Sequence, residues 1–356
     1  MNITDVFSAA SIAVQRTEVA SNKLEYVGVG LFPPRQKMGL DLKWIKTSKG
    51  LPVSLAPSNF DATSILRSRE GFSTEAAEMA FFRESMLLKE RDEQDMQRVQ
   101  SANDPYAASI LSSVYDDVNA LLDGADVVPE RMRMQLLAPT TDGSPRIVIS
   151  ANGVQYSYNY DPNGTYKTKN YKAITTATKK WTDATNSDPL SDVSDAQDAV
   201  ENATGTRPVR MLMSKATMNL LKKNANIKSA ILSQNTTANV LMTDARVREL
   251  FNNELGIDII VYNKKYKNEA GTEASFYPDN YVTLLPDGAL GTTWYGMTPE
   301  ERMLNGDPTA NARKIGTGVM VTVTRTTDPV NTKTTVSEIC LPSYERMDET
   351  YVIKVA

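Results

Sequence analysis

The spacing of apolar residues divides the chain into an opening arm, a long helix, a mixed central region and a β-rich end. In residues 4–24 the apolar positions recur near helical spacing, which predicts an amphipathic N-terminal helix. The stretch YVGVGLFPPRQ then contains two glycines and a proline pair, and we expect it to break that helix. Helix and breaker together indicate an arm outside the first core. The apolar positions are Val6, Ala10, Ala13, Val14 and Leu24.

The next stretch, KMGLDLKWIKTSKGLPVSLAPSNFDATSILRSREGF (37–72), fits neither a helix nor a set of core strands. LDLKWIK and LPVSLAP alternate loosely, but Pro52 and Pro57 restrict them to edge strands or a ribbon. A two-stranded ribbon is marginally stable alone in water, and a structureless loop of this length is uncommon inside a compact domain. We therefore expect the ribbon to project and to rest on another subunit.

Charge gives a candidate partner for this ribbon. Residues 35–50 carry five basic residues against Asp41 alone, whereas the following FFRESMLLKERDEQDMQRVQ is rich in acids and is predicted as a helix. A basic ribbon and an acidic helix can meet across an interface, where complementary charge fixes register more than affinity. Two ordinary solvated faces explain the same pattern. The acidic-helix candidates are Glu84, Glu90, Asp92, Glu93 and Asp95.

The clearest helical pattern is NDPYAASILSSVYDDVNALLDG, with Asp104 as N-cap and Pro105 at the first helical position. Gly124 interrupts the apolar stripe, and VVPERMRMQLLAP resumes it as far as Ala138. A continuous helix over this span is roughly 50 Å long, which is more than one compact core needs. We interpret it as a spine with a candidate hinge at Gly124.

The remainder of the chain reads as a mixed region followed by strands. VQYSYNY and TYKTKNYK are predicted to form a hairpin through DPNG, and an acidic helix without basic partners in its segment is predicted from about Asp188 to a stop at Gly205. Residues 208–300 alternate strands with helices capped by Ser214 and Thr243. The β-rich end consists of two strands joined by DPVN and the strand YVIKVA.

The amino-acid composition excludes several common classes of catalytic and metal site. The 356 residues include no histidine and a single cysteine, Cys340, so histidine-dependent nucleophile systems, histidine-ligated zinc, disulfides within the chain and cysteine-cluster metal sites are excluded. Cys340 reads as a small buried strand residue rather than a reactive thiol. The formal net charge of −4 gives no bulk attraction to nucleic acid or anionic membranes. Neither a signal peptide nor a membrane span is predicted, so we expect the protein to be made and to stay in a cytoplasm. We also expect no cofactor.

The order of the predicted elements resembles the order found in a known protein family. Arm, ribbon, spine and second domain occur together with the segments LFPPRQKMGLDLKWIK, FFRESMLLKERDEQ and FYPDN…LPDG. This resembles the tailed-phage major capsid proteins of the lambda E type, from about residue 5 to the end. The resemblance implies an α+β fold, the Hong-Kong-97-like capsid fold. Its expected parts are an N-terminal arm (1–36), an extended E-loop (37–83), a P-domain (84–204) with a spine helix at about 105–138, an A-domain (205–300), and C-terminal strands (301–356) that return to the P/A-domain core.

The resemblance also implies a function and partners. Copies are expected to form pentamers and hexamers of an icosahedral head shell around double-stranded DNA, in a virion assembled in the bacterial cytoplasm. A separate scaffolding protein and a portal are implied, a decoration protein is left open, the DNA is held non-specifically, and no membrane partner is expected. The E-loop candidates for contact with a neighbouring subunit, for which packing within the chain is the alternative at the apolar positions, are Leu42, Lys43, Trp44, Ile45, Lys46, Leu51, Val53, Leu55, Phe60, Arg67 and Arg69.

Two other functions remain open from the sequence. An encapsulin-like nanocompartment would share the fold and differ in a pocket that binds cargo. A hydrolase with a carboxylate pair needs no histidine, and it predicts a deep pocket, raised carboxyl pKa values and a monomer.

Overall fold

A computed structural model describes residues 8–20, 26–45, 74–91, 94, 106–151, 153–232, 242–306 and 311–356. The chain forms two compact units. Unit 1 comprises Met1–Leu42, Ala76–Met132 and Thr292–Ser343, and unit 2 comprises Lys43–Glu75, Arg133–Gly291 and Tyr344–Ala356.

The described elements are numbered in chain order. The helices are α1 (Ala9–Ala20), α2 (Val27–Leu31), α3 (Tyr106–Leu137), α4 (Thr165–Lys169), α5 (Pro189–Thr204), α6 (Lys215–Lys223), α7 (Ala225–Ile231), α8 (Asp244–Leu255) and α9 (Pro299–Gly306), with 3₁₀ turns at Ala177–Lys179 and Met347–Glu349. The strands are β1 (Pro34–Gln36), β2 (Asp41–Ile45), β3 (Thr74–Glu78), β4 (Ala80–Leu88), β5 (Arg146–Ala151), β6 (Val154–Asn159), β7 (Tyr171–Ala173), β8 (Arg210–Met213), β9 (Asp258–Val261), β10 (Lys265–Lys267), β11 (Glu273–Ser275), β12 (Tyr281–Leu285), β13 (Thr292–Tyr295), β14 (Ala312–Ile315), β15 (Val319–Thr327), β16 (Val330–Ser343) and β17 (Tyr351–Lys354).

Unit 1 is built around a six-stranded sheet in the order β1-β13-β16-β15-β14, with β4 also paired to β16. The long strand β16 pairs with β15 on one side, and on the other it pairs first with β4 and then with β13. Helices α1 and α3 contribute apolar residues to a core with this sheet. The buried members of that core are Ala9, Ile12, Val118, Leu121, Leu122, Ala125, Val321, Val323 and Val336.

Unit 2 is built around a five-stranded sheet in the order β7-β17-β12-β8-β9. The register places Met213, Val282 and Ile353 side by side, and these residues share a core with apolar residues of α5, α6, α7 and α8. Because successive strand residues face opposite sides, one sheet face carries this whole helical layer. On the opposite face, the Thr283 hydroxyl donates to the carbonyl of Leu137 at 2.6 Å, at the end of α3.

The N-terminal helix exists, but its predicted buried face is wrong. Ala9 and Ile12 are buried, whereas Ala10 is exposed and Val14 is 63% exposed. The buried positions 9, 12 and 16 follow helical spacing as well as the predicted positions do. Position 16 is Arg16, a charged residue that a search for hydrophobic periodicity does not select. The other predicted positions, Val6 and Leu24, lie outside the described residues.

The glycine-rich stretch after this helix is not a simple breaker. Residues Val27–Leu31 form α2, and the Gly28 amide donates to a carboxylate oxygen of Glu130, which is fully buried. A carboxylate at the amide end of a helix satisfies an amide group that lacks a partner within the helix.

The predicted acidic helix is wrong over Ala80–Leu88, which form strand β4, whereas Glu90, Arg91 and Gln94 are helical. Glu84 is an exposed residue of β4, directly opposite Val336 of β16. Pairing with β16 determines this strand, and a partner about 250 residues away in the chain cannot be recognised from local spacing. Glu90 is exposed and accepts a hydrogen bond from the Val330 amide at 2.5 Å. Asp92, Glu93 and Asp95 fall in parts of the chain that are not described.

The predicted central hairpin is displaced by one strand. β5 pairs with β6 through a turn at Gly153, whose φ is +79°, while Thr165–Lys169 is helical. Here the Asp161 carboxylate accepts a hydrogen bond from the Lys167 amide at 3.0 Å. The DPNG segment therefore leads into a helix rather than a hairpin. In the sequence, an Asn-Gly dipeptide at 152–153 is a hairpin signal that the prediction did not use.

The other main elements are confirmed. Helix α3 spans 32 residues, about 48 Å, and continues through Gly124 and Pro129 without interruption. Helix α5 has Asp188 as N-cap and Gly205 as C-cap, and Cys340 is buried in β16. The acids of α5 have basic partners outside the predicted helix, since Lys172 pairs with Asp192 and Arg207 pairs with Asp198.

Candidate functional site

The predicted E-loop begins at a short ribbon, in which β2 pairs with β3. Just before β2, Met38 is 81% exposed and Leu40 is 43% exposed. Leu42 is 1% exposed in the single chain, so its side chain packs within its own chain, which was the alternative considered for it. Lys43, Trp44 and Ile45 belong to β2, but their side chains are not described. The remaining candidates lie outside the described ranges: Lys46, Leu51, Val53, Leu55, Phe60, Arg67 and Arg69.

Polar contacts hold the base of this ribbon in unit 1. The Gln36 amide donates to both carboxylate oxygens of Glu301, at 2.9 and 3.1 Å, and Lys314 lies 2.9 Å from the same carboxylate. Next to it, Glu300 pairs with Arg83 and accepts from the Ser337 hydroxyl. Glu301 is only 9% exposed, so its carboxylate and the contacts that it makes are largely shielded from solvent. Sequence reasoning missed it because Gln36 and Glu301 are 265 residues apart.

A second group of polar side chains lies on both sides of the candidate hinge, Gly124. The Arg16 guanidinium reaches Asp123 at 2.6 Å and Asp126 at 2.5 Å, on either side of Gly124. Arg16 is 5% exposed, while both carboxylates remain partly in water. This contact ties α1 to the middle of α3 and explains why a charged residue occupies the buried face of α1.

Unit 2 carries ordered charged groups of its own. Asp244 at the start of α8 pairs with Lys215 and with Lys222, the latter at 2.9 Å, and hydrogen bonds from these two lysines lower the pKa of its carboxyl. Elsewhere, Arg210 donates to the carbonyls of Pro286 and Gly288. These groups position backbone and charge, and they do not form a catalytic constellation.

Neither a metal site nor a membrane span is found where the chain is described. No group of three or more Cys, Asp or Glu residues there is arranged to hold a metal ion. None of the described helices is both long and apolar enough to cross a membrane.

Comparison with known families decides the identity. A family described as phage major capsid protein E matches residues 14–355. The chain belongs to the phage major capsid protein E family. It is therefore a structural capsid protein of the virion and not an enzyme, and it forms the phage head shell by association with further copies of itself.

Solved structures agree with the fold of this major capsid protein. A protein assigned as the capsid protein of a prophage in Escherichia coli CFT073 is 14% identical, with a TM-score of 0.59 over 98% of this chain and 99% of the other. A phage-related protein from Bordetella bronchiseptica RB50 is 14% identical, with a TM-score of 0.57 over 98% and 97%. No curated protein matches.

The major capsid protein thus has the expected α+β, Hong-Kong-97-like capsid fold. Membership of this family favours a role in the phage head over the encapsulin-like nanocompartment. It also favours a structural role over the hydrolase.

Proposed function

We propose that copies of this chain assemble into pentamers and hexamers that close into an icosahedral shell around double-stranded DNA. The observation that carries this proposal is the match to the capsid family over residues 14–355, nearly the whole chain. The DNA is held without sequence recognition, by enclosure.

Within each subunit we propose the domain roles expected from the family: arm 1–36, E-loop 37–83, P-domain 84–204, A-domain 205–300, and returning strands 301–356. The long helix α3 supports a spine, and the five-stranded sheet of unit 2 supports an A-domain. The division between the two units falls within α3, at Met132 and Arg133, rather than at residue 204.

The E-loop is proposed to lie over a neighbouring subunit. The exposed apolar residues Met38 and Leu40 at its base support this, since such residues gain about 25 cal/mol per Å² of apolar surface when a partner covers them. Ordering the loop offsets part of that gain, so each contact is modest. Many modest contacts keep early assembly reversible while the closed shell is collectively stable.

Further partners follow from the same proposal. A scaffolding protein guides curvature, a portal occupies one vertex, and a decoration protein is a candidate for the outer surface. Expansion during DNA packaging is proposed to combine rigid-body rotation with bending of the arm, E-loop and spine.

Light scattering and negative-stain electron microscopy of the purified chain across a concentration series test this function, alone and with its scaffolding protein. We expect rings, tubes or shells above a threshold concentration. A chain that stays monomeric at every concentration under both conditions contradicts the proposal.

A further inference from the structure

The middle of helix α3 contains two residues that weaken a helix. Gly124 gives the backbone freedom to adopt other conformations, and Pro129 lacks the amide hydrogen that would bond to the carbonyl of Ala125. The helix nevertheless continues through both residues. We name residues 124–129 the weak segment. Contacts from other elements have their largest effect on the helix here, because the helix itself contributes least.

A row of carboxylates on α3 faces the arm at this segment. Asp123, Asp126 and Glu130 are spaced three and four residues apart, so they lie on one face of the helix. Arg16 of α1 reaches the first two carboxylates, and the Gly28 amide of α2 donates to the third at 3.0 Å. Both helices of the arm therefore attach to α3 beside the weak segment.

The Arg16 contact spans Gly124. One guanidinium nitrogen, Nη1, lies 2.6 Å from a carboxylate oxygen of Asp123, and Nη2 lies 2.5 Å from a carboxylate oxygen of Asp126. Because the guanidinium is planar and rigid, it holds these two carboxylates, and the helical turn that carries them, in a fixed relation. Bending of α3 at Gly124 changes the distance between the two carboxylates and breaks one of the contacts.

Burial couples this contact to the position of α1. Arg16 is 5% exposed, and a guanidinium left in the interior without its carboxylates is strongly unfavourable. Arg16 can therefore release Asp123 and Asp126 only when α1 moves far enough for the guanidinium to reach water. Such a movement also withdraws Ala9 and Ile12 from the core that they share with apolar residues of α3.

We propose that Arg16 is a brace across Gly124, through which the position of α1 controls bending of α3. With α1 in place the brace keeps the helix continuous, and withdrawal of α1 frees the weak segment to bend. The brace is a property of the single chain and lies within unit 1. Its part in shell expansion rests on the proposed function.

Hydrogen exchange of the unassembled chain tests the brace. The amides of Val127, Val128 and Glu130 bond to carbonyls four residues earlier, and their exchange reports opening of the weak segment. Arg16→Lys keeps the positive charge but replaces two rigidly spaced nitrogens by one. We expect it to speed exchange of these three amides about tenfold, while exchange of the amides in α1 stays within about threefold of the wild type.

Removal of the carboxylates one at a time distinguishes a brace from two independent ion pairs. Asp123→Asn and Asp126→Asn are each expected to speed exchange in the weak segment nearly as much as the double variant, because a brace with one end loose no longer holds the turn. Independent ion pairs give effects that multiply. Asp116→Asn, at an exposed residue of α3 with no ion pair in the described chain, is the matched control and is expected to leave exchange unchanged.

Stiffening the glycine is expected to suppress the loss of the brace. Gly124→Ala meets no atom within 4 Å and favours the helix, so the double variant Arg16→Lys/Gly124→Ala is expected to exchange within about threefold of the wild type. In shells, Arg16→Lys is expected to speed expansion about threefold, and the double variant is expected to expand no faster than Gly124→Ala alone. Time-resolved X-ray scattering measures both rates.

Exchange at the wild-type rate in Arg16→Lys, or effects of the two asparagine variants that multiply, would overturn the brace. Equal acceleration throughout α1 and α3 would also overturn it, since that result shows a general loss of packing. Faster exchange with unaltered expansion overturns the control of bending in the shell. A chain that forms no shells overturns the proposed function, whereas the exchange experiment still decides the brace.

Discussion

At the scale of single residues, two glycines of unit 2 share a left-handed backbone but differ in their surroundings. Gly143 has φ +85°, and a Cβ there would lie 2.6 Å from the ring of Tyr171. Gly153 has φ +79°, and a Cβ there would meet no atom within 4 Å. The comparison separates backbone strain from a steric clash.

We expect Gly143→Ala to lower the free energy of unfolding by about 3 kcal/mol, because backbone strain adds to displacement of the Tyr171 ring. Gly153→Ala carries the strain alone and is expected to cost about 1 kcal/mol. Urea denaturation of the unassembled chain measures both. Equal costs for the two variants would show that the approach to Tyr171 has no energetic consequence.

Residue-scale predictions from sequence succeeded where the interaction is local. The caps Ser214 and Thr243 were predicted, as was a helix start at about Asp188, and each of the three side chains accepts a hydrogen bond from an amide three residues ahead. Buried polar contacts such as Arg16 with Asp123 join residues 107 positions apart, and no local pattern marks them. The residues that fix the base of the E-loop belong to this second class.

At the scale of elements, α3 was predictable because its apolar stripe repeats over many turns, whereas β4 was not. Helix α3 carries its own signal, but β4 exists through its ladder with β16. Helix and strand propensity are weak compared with such pairing, which explains why an acidic helix was expected at Glu84.

The continuity of α3 through Gly124 makes a sharp test of the proposed hinge. A Cβ at Gly124 would meet no atom within 4 Å, so Gly124→Ala alters only the helix itself. The helix gains about 1 kcal/mol in propensity and loses the conformational freedom of a glycine backbone. We expect unchanged assembly and slower shell expansion, followed by time-resolved X-ray scattering of the particle radius.

Gly306→Ala is the matched control for this hinge. It makes the same chemical change at the end of α9, also without a close neighbour, and is expected to leave expansion unaltered. Expansion of the Gly124→Ala shells at the wild-type rate contradicts the hinge.

At the scale of the whole molecule, the E-loop candidates divide into residues that support the fold and residues proposed to support the shell. Leu42 is buried within its own chain, so Leu42→Ala is expected to lower the free energy of unfolding by about 3 kcal/mol. Phe60→Ala, by contrast, is expected to leave unfolding of the unassembled chain within about 0.5 kcal/mol and to raise the assembly threshold about tenfold.

Denaturation of the unassembled chain and light scattering during assembly measure the two effects separately. A Phe60→Ala chain that assembles at the wild-type threshold would remove Phe60 from the proposed contacts. A large loss of folding stability in the same variant would place it in the fold instead.

The arrangement of the last strand has a consequence for synthesis. β17 lies inside the unit 2 sheet, between β7 and β12, and Val352 and Ile353 are fully buried. A chain whose translation stops before Tyr351 leaves β7 and β12 without the strand that joins them, and it exposes the core beneath. Ribosomes that release their product early therefore yield chains without a finished unit 2 sheet. Closure of the unit 2 sheet therefore waits for residues 351–354, which are synthesised after every other strand of that sheet.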